Sequence, residues 1–222
     1  MSYPVQPFSV SGAGGEVAVQ AGRREERKAQ NRAKLLSAAR KVFAEKGLGE
    51  ATARDIVRET DLATGTFYNY FRDKEEVFRA LLEEFERRVS EATLPLRRDP
   101  ELTLAQRLEY GARAFYQVVA EDRELFLVLR RNAGTSAILP ARSLFPTGMD
   151  ELGEDLDKWT DDGDLPGIDL GYLSAAIAGS AMQVANQMLE HDPPDVEGAT
   201  QFMTRLTLSL IGAHAPDFAP AP

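Results

Sequence analysis

The sequence predicts an all-α chain. Apolar residues recur at three- and four-residue spacing through most of the 222 residues, the period of helices with one buried stripe. No run of four or more alternating apolar and polar residues with turn-type flanks stands out, so no strand is expected. Proline-bearing and polar stretches such as TLPLRRDP (93–100) and DDGDLPGID (161–169) divide the chain into helical lengths.

Residues 1–22, rich in Gly, Pro and Ser, read as a flexible arm. They lack the basic leader and long apolar stretch of a signal peptide. A first helix is expected from Arg24 to about Lys46, with Leu35, Leu36, Ala39, Val42 and Phe43 on one stripe and Gly47 as its C-terminal cap. Thr52 is a fitting N-cap for a short helix over Ala53 to Thr60, with Asp55 placed for a near capping box. After TDLAT (60–64), a third helix is expected over about Gly65–Phe71, with Thr64 as a possible cap. Asp73 and Glu76 then open a long helix from Lys74 to about Ala92, whose buried stripe is Val77, Phe78, Leu81, Leu82, Phe85 and Val89. Pro95 and Pro100 mark a break. Further helices are expected near 102–120, 122–132, 148–160, 168–190 and 196–213. GTSAILPARSLFPTG (134–148) is irregular, and AHAPDFAPAP (213–222) is a fraying tail.

Composition narrows the function classes. The chain has no cysteine and only two histidines, so thiolate chemistry is excluded and a His-rich metal site is not expected. No apolar run reaches the roughly 20 residues of a membrane span. No nucleophile–base pairing, phosphate loop or metal spacing points to an enzyme, and no cofactor is expected. Charge is uneven: residues 23–82 carry 14 Lys/Arg against 10 Asp/Glu, whereas the whole chain has a net charge of −9. A basic N-terminal third on an acidic protein suggests two tasks in one chain.

Two short helices joined by TDLAT and preceded by a longer one have the proportions of a helix-turn-helix, whose second helix enters the DNA major groove. At about 100° per residue Phe67 and Phe71 share one face, with Ala63 near them, and pack inward. Tyr68 and Asn69 project away, and Tyr70 lies on the flank. A tyrosine there can hold its hydroxyl against a phosphate oxygen. Thr64, Gly65 and Thr66, small residues at the helix start, allow close approach to bases and backbone. In GRREERKAQNRAK (22–34), Arg23, Arg24, Arg27 and Lys28 read equally as a DNA-contacting arm and as an ordinary mixed-charge helix start.

TARDIVRETDLATGTFYNYFRDKEEVF (52–78) resembles the DNA-binding signature of the TetR family of bacterial transcriptional regulators. The resemblance is close over roughly residues 30–85. It implies an N-terminal three-helix helix-turn-helix DNA-binding domain (23–73), joined by a long fourth helix to a helical ligand-binding and dimerisation domain (74–214), with 215–222 a frayed tail. It implies that Thr52 both caps and touches phosphate, that Arg54 reaches the groove, and that Thr64 and Thr66 lie near bases or phosphates. Tyr68 and Tyr70 match positions that clamp the backbone, and Lys74 matches a phosphate contact. Asp61 departs from the pattern, standing in the turn where many members have Gly; aspartate tolerates a left-handed backbone. The resemblance further implies a cytoplasmic, ligand-responsive, sequence-specific regulator, a dimeric repressor released from a palindromic operator by its effector; a small lipophilic effector is expected, and the acidic run DELGEDLDKWTDDGD (150–164) leaves a cationic ligand as the alternative.

The acidic half supports this in part. IDLGYLSAAIAGSAMQVANQMLE (168–190) offers Gly171, Ala175, Ala178 and Gly179 for close helix approach, and the last helix adds Phe202, Leu206 and Leu210. Paired with its symmetry mate, this makes a four-helix homodimer interface. Phe115, Tyr116, Phe126, Leu129, Met149, Leu152, Leu156, Trp159 and Met182 are candidates for a ligand cavity, with Gln183 and Asn186 as polar groups in it.

Overall fold

The computed structural model describes residues 13–132, 146–161 and 169–212, and the side chains of all of these except 13–19, 21, 146–149, 160 and 161. The described residues form helices, with no strand among them. The irregular stretch 134–145, most of the polar turn and the tail lie outside the described residues.

The first helix, α1 (Ala13–Glu50), begins eleven residues before the expected Arg24, so residues 13–22 of the expected arm are helical. Once the downstream turns exist, extending a helix adds one hydrogen bond per residue fixed, and no proline interrupts 13–23. At its other end Gly47 has φ 76° and ψ 162°, a left-handed stop inside the α1 bounds. The last turn of α1 carries no basic residue of its own. Its carbonyls receive donors from elsewhere: Arg131 Nη1 reaches Ala44 O at 3.0 Å, and Lys74 Nζ reaches Gly49 O at 2.8 Å.

Next come α2 (Ala53–Arg58), α3 (Thr64–Phe67) and α4 (Lys74–Arg97). The α4 helix runs through Pro95 rather than breaking at 93. Proline costs most in a helix interior; here it sits in the last turn, where few bonds remain to be lost. That turn is also held by ion pairs to α7, described below. The second half adds α5 (Leu104–Glu121), opened by a reciprocal Thr103–Gln106 capping box, and α6 (Arg123–Asn132). It continues with α7 (Pro146–Asp161), α8 (Leu170–Met188) and α9 (Val196–Gly212).

One continuous core joins the two halves. Phe43 of α1 meets Phe78 of α4 edge-on at 5.9 Å, and one helical stretch further Phe85 meets Phe126 of α6 at 6.1 Å. Leu81, Leu125 and Leu129 are fully buried between them. Thus α4 serves as core on both sides of the expected boundary at 73/74. A smaller cluster of Leu104, Leu152, Leu156, Trp159, Leu173 and Ile211 closes the far end.

Polar contacts reinforce the α1–α6 seam. Asp122 accepts from Arg40 Nη1 at 2.9 Å and Arg88 Nη1 at 2.7 Å, and Arg40 also holds Glu84. Asn132 Oδ1, buried, accepts from Leu48 N at 2.6 Å. These long-range bonds tie α1 to Asp122 ahead of α6, to Asn132 at its end and to Glu84 of α4.

Candidate functional site

Local chemistry builds the helix pair. Thr52 Oγ1 accepts from Asp55 N at 3.1 Å, while Asp55 Oδ2 accepts from both the backbone N (3.0 Å) and the hydroxyl (2.7 Å) of Thr52. Lys46 Nζ stands 2.8 Å from Asp55 Oδ1. The Lys46 bond first, then those from Thr52, lower the Asp55 carboxyl from 3.8 to about 2. The Thr52 hydroxyl proton is therefore committed to the cap.

The turn needs no left-handed residue. Among the described residues no non-glycine has positive φ. Thr60 instead donates to Val57 O at 2.8 Å and accepts from Leu62 N at 3.2 Å, making the turn with side-chain bonds. Asp61 pairs with Lys34 at 2.8 Å, which holds its carboxyl below the usual range and neutralises its charge beside the helix pair. The left-handed backbone expected at Asp61 is thus not used.

The recognition segment is shorter than expected. Ala63, not Thr64, is the N-cap; it makes no side-chain cap bond and is exposed rather than packed inward. The α-helical turn ends at Phe67, and tight turns bonded Asn69 N to Thr66 O and Tyr70 N to Phe67 O carry the chain to Phe71. Phe67 and Phe71 are buried, as their shared face requires. Tyr68 is 62% exposed, and Thr64, Gly65 and Asn69 are exposed with it; Thr66 and Tyr70 are half-buried. Tyr70 Oη receives a 3.3 Å bond from Asn31 of α1, a partner that sequence reasoning did not find.

Arg54 is exposed and forms no ion pair among the described residues. Lys74 is half-buried and bound to Gly49 O. Glu76 closes the α4 start by accepting from Arg72 N at 2.7 Å; that bond, then the Arg72 side chain, lower its carboxyl. Arg72 and Arg58 are exposed cations beside α3 and α2 that the motif did not single out.

A cavity of about 390 Å³ opens between α4, α5, α7, α8 and α9. Phe115, Tyr116, Leu152, Trp159 and Met182 line it. Several candidates do not. Phe126 and Leu129 are fully buried in the α4–α6 core, and Leu156 is buried in the smaller cluster. Gln183 is exposed and bound to Asn186 Nδ2 at 3.1 Å, so neither turns a polar group into the cavity wall. The side chain of Met149 lies outside the described residues. Ala175, Ala178 and Gly179, read as dimer contacts, line this cavity as well.

Unforeseen lining residues include Val89, Thr93, Arg97, Gly111 and Thr207. Arg97 crosses under Gly111, where a Cβ would stand 3.1 Å from its Cγ. Its Nη2 meets Glu151 at 3.2 Å, and its Nη1 lies 3.0 Å from Asp155 Oδ2, an ion contact without hydrogen-bond alignment. Arg98 Nε binds Asp155 Oδ1 at 2.9 Å, and Ser90 donates to Glu151 at 2.6 Å. The last turns of α4 are thereby fastened to α7 beside the cavity. Tyr116 Oη donates to Ala181 O at 3.4 Å, and burial raises its phenol above the ordinary value.

On the outer face, Gly171, Ala175 and Gly179 of α8 are exposed, with Tyr172 at 80% and Phe202 of α9 at 53%. Leu206 and Leu210 are half-buried, packed in part against the two apolar clusters.

Residues 35–81 match the family described as bacterial regulatory proteins, tetR family. An uncharacterized HTH-type transcriptional regulator, YdgC of Bacillus subtilis, is 29% identical over 99 residues, 43% of this chain and 51% of that protein. The chain thus spans about half the length of this curated relative, and less of the two others it matches. A Syntrophomonas wolfei protein assigned to the TetR family has a similar structure (TM-score 0.70, 23% identity, 83% of this chain and 96% of that one). So does the transcriptional regulator FadR of Bacillus subtilis in complex with stearoyl-CoA (TM-score 0.63, 20% identity, 78% and 96%). At these identities the structural likeness concerns the fold.

Proposed function

Because the chain belongs to the TetR family of bacterial regulatory proteins, we propose that it is a ligand-responsive, sequence-specific DNA-binding transcriptional regulator, a cytoplasmic dimeric repressor released from a palindromic operator by a small lipophilic effector. The observation that carries this reading is the double role of α4: it packs against α1 through Phe78 and walls the cavity through Val89, Thr93 and Arg97.

In this mechanism the exposed edge of α3 enters the major groove. Thr64, Gly65 and Asn69 meet bases and backbone, and Tyr68 lays its hydroxyl on a phosphate. Arg54, exposed and unpaired among the described residues, reaches the same duplex. Asn31 and Gly49 hold Tyr70 and Lys74 beside this edge; Tyr70 Oη keeps its own proton and Lys74 Nζ two further N–H groups for phosphate oxygens. The helix-turn-helix forms residues 23–73, and α4 onward forms the effector and dimer domain.

A second copy packs against the exposed Gly171, Tyr172, Ala175, Gly179 and Phe202 face, making a four-helix interface. Two recognition helices then stand about 34–36 Å apart, one helical turn of DNA. The effector has a mostly apolar body, since the cavity wall is aliphatic and aromatic, and carries a polar group for the Arg97–Thr93 end. It shifts operator affinity only by its difference in affinity for the two spacings.

The test is selection of genomic fragments by the purified protein, followed by titration of the best fragment. Enrichment of an inverted repeat bound by two protomers, weakened by Tyr68→Ala, is expected. Binding without sequence preference, or by one protomer to an asymmetric site, would overturn the reading.

A further inference from the structure

Residues 22–30 of α1 form a helical stretch on which no described residue packs. Gly22 to Gln30 are all exposed, and the buried stripe starts only at Leu35. A helix that buries no apolar face gains nothing from packing, so its surface chemistry is what it offers.

That surface is divided. At about 100° per residue, Arg23, Arg24, Arg27, Lys28, Arg32 and Lys34 fall within an arc of about 180° centred near Asn31; Glu25 and Glu26 fall outside it. The arc's C-terminal end is fixed against the helix pair. Asn31 bonds Tyr70, Arg32 lies 5.4 Å over the Phe71 ring, and Lys34 pairs with Asp61. Toward the N-terminus, Arg23, Arg24, Arg27 and Lys28 are exposed and form no ion pair among the described residues. Their α-carbons lie about 4.5–12 Å beyond Asn31 along the helix axis.

We infer that this basic arc is a second DNA-binding surface, which grips the phosphate backbone flanking the half-site read by α3. The inference rests on the proposed DNA-binding function. Three observations carry it: segregation of the cations on one side of the helix, the orientation of that side by Tyr70 and Phe71 at the end of the recognition segment, and the absence of ion-pair partners among the described residues for four of them. An acidic chain, with net charge −9, needs such a local concentration of cations to meet a polyanion. Contacts of this kind position without reading sequence.

The experiment compares the wild-type protein with the variant Arg23→Gln/Arg24→Gln/Arg27→Gln/Lys28→Gln. A control, Arg123→Gln/Arg130→Gln/Lys158→Gln, removes exposed cations elsewhere. All are titrated against the selected operator, with and without flanking base pairs, from 50 to about 300 mM salt. Each phosphate contact contributes about 0.9 to the slope of log affinity against log salt, so the arc variant should lose about 3–4 per bound protomer on the flanked duplex. On the trimmed duplex it should match wild type. Its hydroxyl-radical footprint should lose the flanking protections and keep the central ones. A slope within about 1 of wild type with an unchanged footprint, or an equal loss in the control, would overturn the inference while leaving the proposed function standing. Failure of the wild-type protein to bind any duplex would overturn both.

Discussion

Replacing Asn132 by Leu tests whether the junction between α1 and α6 is held by one buried bond. Gly47 leaves helical geometry at φ 76°, which turns Leu48 N out of the α1 ladder and toward α6. Asn132 Oδ1 accepts that N–H at 2.6 Å in a buried site, and its own amide donates to Val128 O at 2.7 Å. Leucine preserves the volume and removes both bonds. Val128 O belongs to α6 and loses little. Leu48 N is left buried without an acceptor, which costs about 1–3 kcal/mol. A loss of about 2 kcal/mol corresponds to a Tm lower by about 4–8 °C for a chain of this length. Urea denaturation gives the free energy, and amide exchange gives the location: Leu48 should lose protection while Leu81, deep in α4, keeps it relative to global stability. A variant within about 0.5 kcal/mol of wild type, with Leu48 still protected, would refute the reasoning, because another acceptor must then serve that N–H.

Other perturbations separate the proposed roles. Tyr68→Ala should raise the operator Kd about tenfold per bound protomer, the worth of one hydrogen bond to a charged phosphate, hence about a hundredfold for a dimer, and leave Tm unchanged because the ring is 62% exposed; gel shift and calorimetry check the two halves. Asp55→Asn should destabilise at neutral pH and matter less in acid. Since the folded carboxyl is depressed to about 2, its stabilisation is complete above the unfolded value of 3.8 and is lost as pH falls through about 2, so the Tm gap to wild type should close over that window. Trp159 is the only tryptophan of the chain, lines the cavity and is 1% exposed. Its emission should be blue-shifted and resist aqueous quenchers, and a bound effector should change its intensity; an effector that releases the operator without moving this signal would place binding elsewhere.

Local chemistry made much of the fold legible. Thr52 with Asp55 is a reciprocal cap whose partners lie three residues apart, so it survives into the structure unchanged; of the Asp73–Glu76 box only the half from Glu76 N to Asp73 forms, because the Glu76 carboxylate accepts from Arg72 N instead. Helical angle alone separated buried Phe67 and Phe71 from exposed Tyr68. What sequence did not show depends on distant partners. Pro95 reads as a stop until Glu151, Glu154 and Asp155 of α7 are seen fastening Arg97 and Arg98 around it. Asp61 reads as a left-handed turn residue until Lys34 is seen 27 positions away.

The cavity followed from the sequence only in part: Phe115, Tyr116, Leu152, Trp159 and Met182 line it, whereas Phe126, Leu129 and Leu156 do not. Aromatic and aliphatic residues were sought as its walls, yet a cavity forms where side chains are too small or too polar to fill the space. Gly111, Ala112, Thr93, Thr204 and Thr207 make the opening, while Phe126 and Leu129, larger and more apolar, close the core elsewhere. The α8 residues Ala175, Ala178 and Gly179 show the same ambiguity from the other side. A small residue admits either a partner helix or a ligand, and only the crossing of α8 over α5 and α9 decides which. Here the same three residues border the cavity while Ala175 and Gly179 remain exposed, so a ligand that swells this wall presses on the face proposed for the second copy. In the proposed dimer, effector binding and dimer geometry would then be coupled through α8 as well as α4. Altering the face alone, with Tyr172→Ala/Phe202→Ala, neither of which lines the cavity, should therefore change operator affinity and effector affinity together, measured by paired titrations; a change in one without the other would confine the coupling to α4.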